Sequence, residues 1–279
     1  KQVQKLIRDI IIHADERSYT TVGKKTLVAE FDRNFAEDIG IAVCGEFDED
    51  DTYSFDYYLP YLRSDLVSTA EDISIERHAA KESYAGICDD PKVGVSLIFY
   101  LQNMISYLKL QGEGKIPAKG TSLNLSALSC QGTIMMPIQK TEWQKKKIAK
   151  DAVQRNRLIQ AARGGDEEAM ESLTLEDMDT YTSISRKIQK ADIFSLVDTY
   201  FMPYGVECDQ YSVLGEITDM KLVTNGLTGE KVHILTLCCN DLNLKVAINS
   251  IDLLGEPAVG RRFKGSVWLQ GQVNFPEES

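Results

Sequence analysis

The stretch "VGRRFKGSVWLQGQV", Val259–Val273, decides the fold because it combines alternating apolar residues with glycines. Successive side chains of a strand point to opposite faces, so Val267 and Leu269 are expected on one face and Trp268 on the other. Glycines inside such a strand permit strong curvature. The stretch therefore predicts the last strand of a small, curved antiparallel sheet.

The segments before this stretch carry the same signal. "YSVLGEITDMKLVTN", "KVHILTLCCN" and "LNLKVAINSIDLL" are rich in β-branched residues, and "NGLTGE" and "ND" provide turns between them. A bend in the first segment gives five strands within residues 211–275. We predict an OB-like antiparallel barrel over residues 206–279. An SH3-like barrel has a similar number of strands and remains an alternative.

The rest of the chain divides into two further units. Residues 1–138 begin with a helical pattern and continue with strand patterns, including a hairpin at the acidic turn of "GEFDEDDTYSF". Residues 139–205 have helical periodicity, broken at Gly164–Gly165. The predicted fold class is therefore α+β. It comprises a mostly antiparallel sheet domain with a helix, a helical connector and the C-terminal barrel.

Composition excludes several classes of protein. The net charge of −11 argues against a general polyanion binder, because phosphate binding depends largely on Lys and Arg. The longest apolar stretch, Val93–Leu101, is about half of the ~20 residues that a membrane helix needs. The six cysteines are scattered without a CxxC pair, which predicts no structural disulfide, no metal site and no cofactor. We expect a cytoplasmic protein that does not insert into membranes.

Several stretches resemble a known family. They are "LIRDIIIHADERSYT", "FAEDIGIAVCGEFDE", "EDISIERHAAKESYAGICDD", "KVGVSLIFYLQN" and the long segment from "SLTLEDMDTYTSISRK" to "YSVLGEI". Together they cover most of the chain. The chain resembles an uncharacterised family from gut Clostridia that is classified only as a domain of unknown function. The resemblance implies a cytoplasmic bacterial protein and carries over no site residue.

One candidate catalytic group lies in "SIERHAAKES". Glu76, His78 and Glu82 would share one face of a strand and could perform acid–base chemistry. The solvent face of an antiparallel sheet has the same appearance, and this interpretation is favoured.

A candidate ligand-binding group lies in the opening stretch. Arg261, Arg262, Lys264 and Trp268 could form a basic, aromatic surface for a ligand. Strand alternation separates Arg261 from the other three, however. The alternative is that apolar residues of this strand face the core and its glycines allow curvature.

The third candidate group lies on the predicted helix Lys140–Arg163, which has a net charge of +6. Lys146, Lys150 and Arg157 would cluster on one side. The next segment, Asp166–Asp179, contains seven acids and no base. The basic helix either packs against this acidic neighbour or offers a docking surface to an acidic partner, a nucleic acid or a membrane.

These patterns favour a non-catalytic binding or adaptor protein with an unknown protein or small-molecule partner. One alternative is a hydrolase-like enzyme with its site in the cleft between the sheet domain and the helical connector. The other is nucleic-acid binding through Lys140–Arg163, which the net charge disfavours.

Overall fold

The computed structural model describes residues 2–23, 26–78, 83–90, 92–117, 119–138, 142–188 and 197–276. In these residues the helices are α1 (Gln2–Ile12), α2 (Met104–Gly112), α3 (Glu142–Arg163) and α4 (Glu167–Ile188). The strands are β1 (Glu16–Val22), β2 (Thr26–Ala36), β3 (Ile39–Phe47), β4 (Tyr53–Leu62), β5 (Ile73–Arg77), β6 (Tyr84–Asp89), β7 (Ser96–Leu101), β8 (Ser122–Met135), β9 (Tyr200–Pro203), β10 (Gln210–Thr224), β11 (Lys231–Cys239), β12 (Leu242–Asn249), β13 (Leu253–Leu254) and β14 (Arg262–Asn274).

The first sheet is an antiparallel meander of β1, β2, β3 and β4. Short turns suffice because each strand follows its neighbour in sequence. At the acidic turn, the Asp48 side chain accepts hydrogen bonds from the backbone N–H groups of Asp50 and Thr52. Helix α1 packs against β2 and β3 of this sheet, and its Ile10 is fully buried.

The second sheet closes into a five-stranded barrel in the order β8-β14-β10-β11-β12 and back to β8. All neighbouring pairs are antiparallel except β12 and β8, which pair in parallel. Val267 and Leu269 point into the main core, while Trp268 lies on the opposite face. Gly132 and Gly265 leave space for the Phe263 ring, which a Cβ at either position would overlap.

Strand β14 also joins the barrel to the remaining strands. Its residues Gln270 and Gly271 pair in parallel with β7, and β6 and β5 continue the sheet from there. The stretch Val93–Leu101 therefore contains a strand. Helix α2 follows β7 and buries Met104, Ile105 and two further residues against the core. This arrangement places the first turn of α2 beside the first sheet.

A buried polar network fixes the first sheet to the barrel. The fully buried Gln270 donates from Nε2 to the Pro60 carbonyl (2.8 Å) and accepts from the Leu62 N–H (3.3 Å). It also accepts from Gln102 Nε2 (2.9 Å), which donates in addition to the Leu62 carbonyl (2.9 Å). Buried amides are stabilising only when their hydrogen bonds are formed, so this network specifies one docking position.

Helices α3 and α4 pack against each other as a hairpin around Gly164 and Gly165. Gly165 has a φ of 89°, a left-handed conformation that glycine adopts readily. Arg155 on α3 forms ion pairs with Glu176 and Asp177 on α4. The structure thus has the predicted basic helix over Glu142–Arg163 beside its acidic neighbour.

The predicted α+β class and the closed barrel are confirmed, but the prediction that residues 206–279 build the barrel alone is wrong. The fifth strand is β8, from residues 122–135, and its pairing with β12 is parallel rather than antiparallel. The reason lies in the tertiary structure, because β10 pairs with one edge of β14 and β8 supplies the partner for the other edge. Along the chain that the structure describes, no helix has the length and apolarity to cross a membrane.

Candidate functional site

The structure places the predicted acid–base group at the edge of the second sheet. Glu76 is exposed on β5, and His78 is exposed just after it, with its ring 6.2 Å from that of Tyr100. Glu82 lies outside the described residues. Both described members of the group, Glu76 and His78, are thus exposed at the surface.

The predicted basic, aromatic group is divided between different surroundings. Arg262 is buried, and its guanidinium donates to the carbonyl oxygens of Met136 (3.0 Å) and Val197 (2.9 Å). It thereby joins the chain before α3 to the chain after α4. Trp268 donates from Nε1 to Asp209 Oδ2 (2.6 Å), and Arg261 donates to the Glu256 carbonyl. Three of the four predicted residues are therefore engaged in hydrogen bonds within the fold.

Lys264 lines a polar hollow of about 290 Å3 on the barrel, together with Tyr204, Ser212 and Ser266. The structure therefore places Lys264 of the predicted group at a cavity.

The basic helix keeps its predicted cluster at the surface. Lys146, Lys150 and Arg157 are exposed on α3. The ion pairs to α4 come instead from Arg155, which was not among the predicted site residues.

A different set of residues forms a cavity of about 170 Å3 between β2 and the first turn of α2. We call it the carboxyl cavity. Its charged lining residues are Glu16 on β1, Glu30 and Asp32 on β2, and Arg63 directly after β4. Glu30 and Asp32 are buried, with 9% and 5% of their surface exposed. Buried carboxyl groups are rare because they lose hydration, so a buried pair beside a cavity marks a candidate site.

The alternation of β2 explains why both carboxyl groups reach the cavity. Val28, Glu30 and Asp32 share the inner face of the strand, and Val28 packs into the main core. Cys44 on β3 is the cross-strand partner of Glu30, and its thiol donates to Glu30 Oε2 (3.5 Å). The pattern therefore turns from apolar to acidic at the point where β2 leaves the core and meets the cavity.

Burial controls the ionisation of the pair. Loss of hydration, with the nearby Asp32 carboxylate, raises the pKa of Glu30 to about 8. Loss of hydration also raises the pKa of Asp32 to about 6, although Arg63 acts in the opposite direction. At neutral pH, Glu30 is mainly protonated and Asp32 mainly ionised. The pair can therefore donate one hydrogen bond and accept several.

Arg63 neutralises part of this charge. Its guanidinium donates to Asp32 Oδ2 and to Glu16 Oε2 (3.0 Å for the latter). The second oxygen of Asp32, Oδ1, is buried and has no hydrogen-bond partner among the described residues. An unsatisfied buried oxygen is costly, and such groups in folded proteins are usually satisfied by water, an ion or a ligand.

The first turn of α2 forms the opposite wall. Asn103, Ile105 and Ser106 line the cavity there. Asn103 is the residue before the helix, but its side chain makes no capping hydrogen bond. It bonds instead to the backbone of Val273 on β14, donating to the carbonyl (2.8 Å) and accepting from the N–H (3.1 Å). The first N–H groups of α2 are therefore left without a side-chain cap.

The described residues contain no group of three or more His, Cys, Asp or Glu side chains arranged to hold a metal ion. All six cysteines are free thiols. Cys239 is fully buried in the barrel core, while the adjacent Cys238 lies on the other face of β11, as strand geometry requires.

Comparison with known proteins assigns the chain to a family. A family model described as "Domain of unknown function, E. rectale Gene description" (DUF3881) matches residues 1–271. The chain belongs to the DUF3881 family. No curated protein and no solved structure matches it. The resemblance to an uncharacterised family is thus confirmed, while the origin in gut Clostridia is only suggested by the family's description.

Sequence reasoning missed the carboxyl cavity of this DUF3881 protein. The available signal is the segment "TLVAEFDRNF", where Glu30 and Asp32 stand two residues apart on one face of an otherwise apolar strand. Two acids on the inner face of a strand point to a buried polar site. No local feature indicates that α2 and Arg63 lie opposite them.

Proposed function

We propose that this DUF3881 protein is a non-catalytic binding protein that holds a small polar ligand in the carboxyl cavity. The observation that carries the proposal is the unpartnered Asp32 Oδ1 in a wall that also contains the buried Glu30. Ligand hydrogen bonds at this oxygen would offset its lost hydration. A cavity of this volume accepts a compact molecule, because cavities of about 150 Å3 hold a molecule the size of benzene.

Equilibrium dialysis against a small-molecule extract of bacterial cells tests the proposal. Mass spectrometry identifies compounds enriched on the protein side. The variant Ser106→Phe places a bulky ring at the cavity, and Lys109→Phe places the same ring at an exposed position of the same helix. We expect at least one compound to be enriched by the native chain and by Lys109→Phe but not by Ser106→Phe, with all three folded by circular dichroism.

Two results would contradict the proposal. One is an extract from which the native chain enriches nothing. The other is equal enrichment by the native chain and Ser106→Phe, which would place the ligand elsewhere.

A second candidate function is an enzyme. The pKa values of Glu30 and Asp32, raised to about 8 and about 6, lie on either side of neutrality and suit a general acid paired with a general base. The carboxyl cavity, between β2 and α2, would be its site, in place of the cleft with the helical connector that the sequence suggested. Conversion of an enriched compound, lost in Glu30→Gln, would favour this function over simple binding.

The finer description of the fold also remains a proposal. We favour an SH3-like barrel over an OB-like one. The support is the order β8-β14-β10-β11-β12 together with the 3-10 turn Ser250–Asp252 ahead of the last strands. The boundaries 1–138, 139–205 and 206–279 stay predictions, with β8 from the first range completing the barrel of the last. The role of the helices as a connector and the cytoplasmic location also stay predictions. Six free cysteines agree with a reducing compartment.

A further inference from the structure

The two walls of the carboxyl cavity have opposite electrostatic character. This inference rests on the proposed function, because it concerns the chemistry of the ligand in the same site. The β2 wall presents acceptors and negative charge, while the α2 wall presents the beginning of a helix. Each wall therefore selects a different chemical group.

The β2 wall favours a cation. Glu16, Glu30 and Asp32 line the cavity against a single lining guanidinium, that of Arg63. Arg63 is already engaged with Glu16 and with Asp32 Oδ2, which leaves Asp32 Oδ1 as the free acceptor. A hydrogen-bond donor that carries positive charge would satisfy this oxygen best, because charge-assisted hydrogen bonds are about twice as strong as neutral ones.

The α2 wall favours an acceptor, and in particular an anion. The first N–H groups of a helix have no intrahelical partner, and the helix dipole places a partial positive charge there. Because the Asn103 side chain is hydrogen-bonded to β14, it does not cap these N–H groups. Helix N-termini of this kind commonly bind carboxylate or phosphate groups. The pairing of this wall with the unpartnered Asp32 oxygen is what points to a ligand with two charges.

We propose that the ligand is a small α-amino acid, bound as a zwitterion with its ammonium group at Glu30 and Asp32 and its carboxylate at the first turn of α2. A purely anionic ligand would face the carboxyl groups, and a simple amine would leave the helix N-terminus without an acceptor. The cavity of about 170 Å3 limits the side chain, since a cavity of about 150 Å3 holds benzene, which has six non-hydrogen atoms. Alanine has the same number of non-hydrogen atoms.

Ionisation of Glu30 gives the proposal a distinctive pH dependence. The raised pKa of Glu30, about 8, means that the carboxyl group is mainly protonated at pH 6. An ammonium group favours the ionised carboxylate, so binding should release a proton. The affinity should therefore rise as the pH increases from 6 to about 8, and then level off.

Isothermal titration calorimetry with three matched probes tests the proposal on the full chain. L-alanine carries both charged groups, ethylamine lacks the carboxylate, and propionate lacks the ammonium. At pH 8 we expect L-alanine to bind, ethylamine to bind at least tenfold more weakly, and propionate to bind at least a hundredfold more weakly. Between pH 6 and 8, the affinity for L-alanine should increase at least tenfold, with proton release measured in buffers of different ionisation enthalpy.

Variants locate the binding. Asp32→Asn should weaken L-alanine binding at least tenfold, while Asp56→Asn, an exposed position on β4 outside the cavity, should leave it unchanged. If Asp32→Asn does not fold, the pH dependence and the probe series of the native chain still decide the matter.

The outcomes separate this inference from the proposed function. Propionate binding as tightly as L-alanine, or affinity independent of pH from 6 to 8, would overturn the amino-acid assignment. If no probe binds while the dialysis experiment enriches a different compound that Ser106→Phe excludes, the assignment fails and the proposed function stands. If dialysis also enriches nothing, both fail.

Discussion

The substitution Glu30→Gln removes the most strongly perturbed carboxyl group of the carboxyl cavity while keeping its shape. In the folded chain the pKa of Glu30 is raised to about 8 by burial, whereas its ordinary value is 4.5. Between these values the folded chain holds a proton that the unfolded chain has released. The stability that this proton provides is therefore complete below about pH 4.5 and is lost as the pH rises through about 8.

The magnitude follows from the same two values. A difference of one in pKa corresponds to about 1.4 kcal/mol. As the pH rises, the free energy of unfolding of the native chain should therefore fall by up to about 5 kcal/mol through this group, and about 4 kcal/mol of that loss occurs between pH 5 and pH 9. Glutamine has no such proton. The variant should be close to the native chain in stability at pH 5 and more stable than it, by about 4 kcal/mol, at pH 9.

Urea denaturation followed by circular dichroism at pH 5, 7 and 9 measures these free energies of unfolding. Glu76→Gln, at an exposed position on the edge strand β5, is the matched control and should follow the native chain at each pH. If the native chain and Glu30→Gln lose the same stability from pH 5 to pH 9, Glu30 does not titrate as its burial requires, and the reasoning is refuted.

Three further predictions concern packing, the polar network and the basic helix. Gly132→Ala should destabilise the chain by about 1–3 kcal/mol in urea denaturation because the added Cβ would overlap the Phe263 ring. The control Gly112→Ala, in open space at the end of α2, should not destabilise it, and equal effects of the two variants would contradict the packing argument. Gln270→Leu should lower the free energy of unfolding by about 2–4 kcal/mol because it leaves the Pro60 and Leu62 backbone groups unpaired, and a loss below about 0.5 kcal/mol would show that water replaces the amide. Titration with short single- and double-stranded oligonucleotides should show weak binding at most; sub-micromolar binding that falls steeply with salt and disappears in the folded variant Lys146→Glu, Lys150→Glu, Arg157→Glu would make α3 a nucleic-acid surface.

Local patterns in the sequence predicted local structure well. The alternation of Val267, Trp268 and Leu269 sets the faces of β14, and the acidic turn at Asp48 sets a hairpin, because both depend on neighbouring residues. The membership of β8 in the barrel could not be predicted from local patterns. Its pairing with β12 joins residues more than a hundred positions apart, and only the closed barrel shows that an edge there needs a partner.

The candidate site was less predictable than the fold because burial and hydrogen bonding in the folded chain determine the chemistry of its residues. Arg262 is an arginine of a basic stretch in the sequence, but in the structure backbone carbonyls surround its guanidinium. Glu30 and Asp32 are acids of a strand in the sequence, and burial against α2 changes their ionisation. A charge pattern gives the number of ionisable groups but not their hydration, and hydration determines their chemistry here.

The position of β14 has a consequence for biosynthesis. This strand pairs with β8 along its whole length, with β10 over its first half and with β7 near its end. The edges of these three strands therefore await residues that the ribosome adds later than any other described strand. A nascent chain that has reached residue 255 exposes these edges and cannot close its barrel, and unpaired edges invite association with other chains. The barrel can therefore close only after residues 262–274 have left the ribosome. A chain that stops before residue 262 lacks the strand that joins β8, β10 and β7.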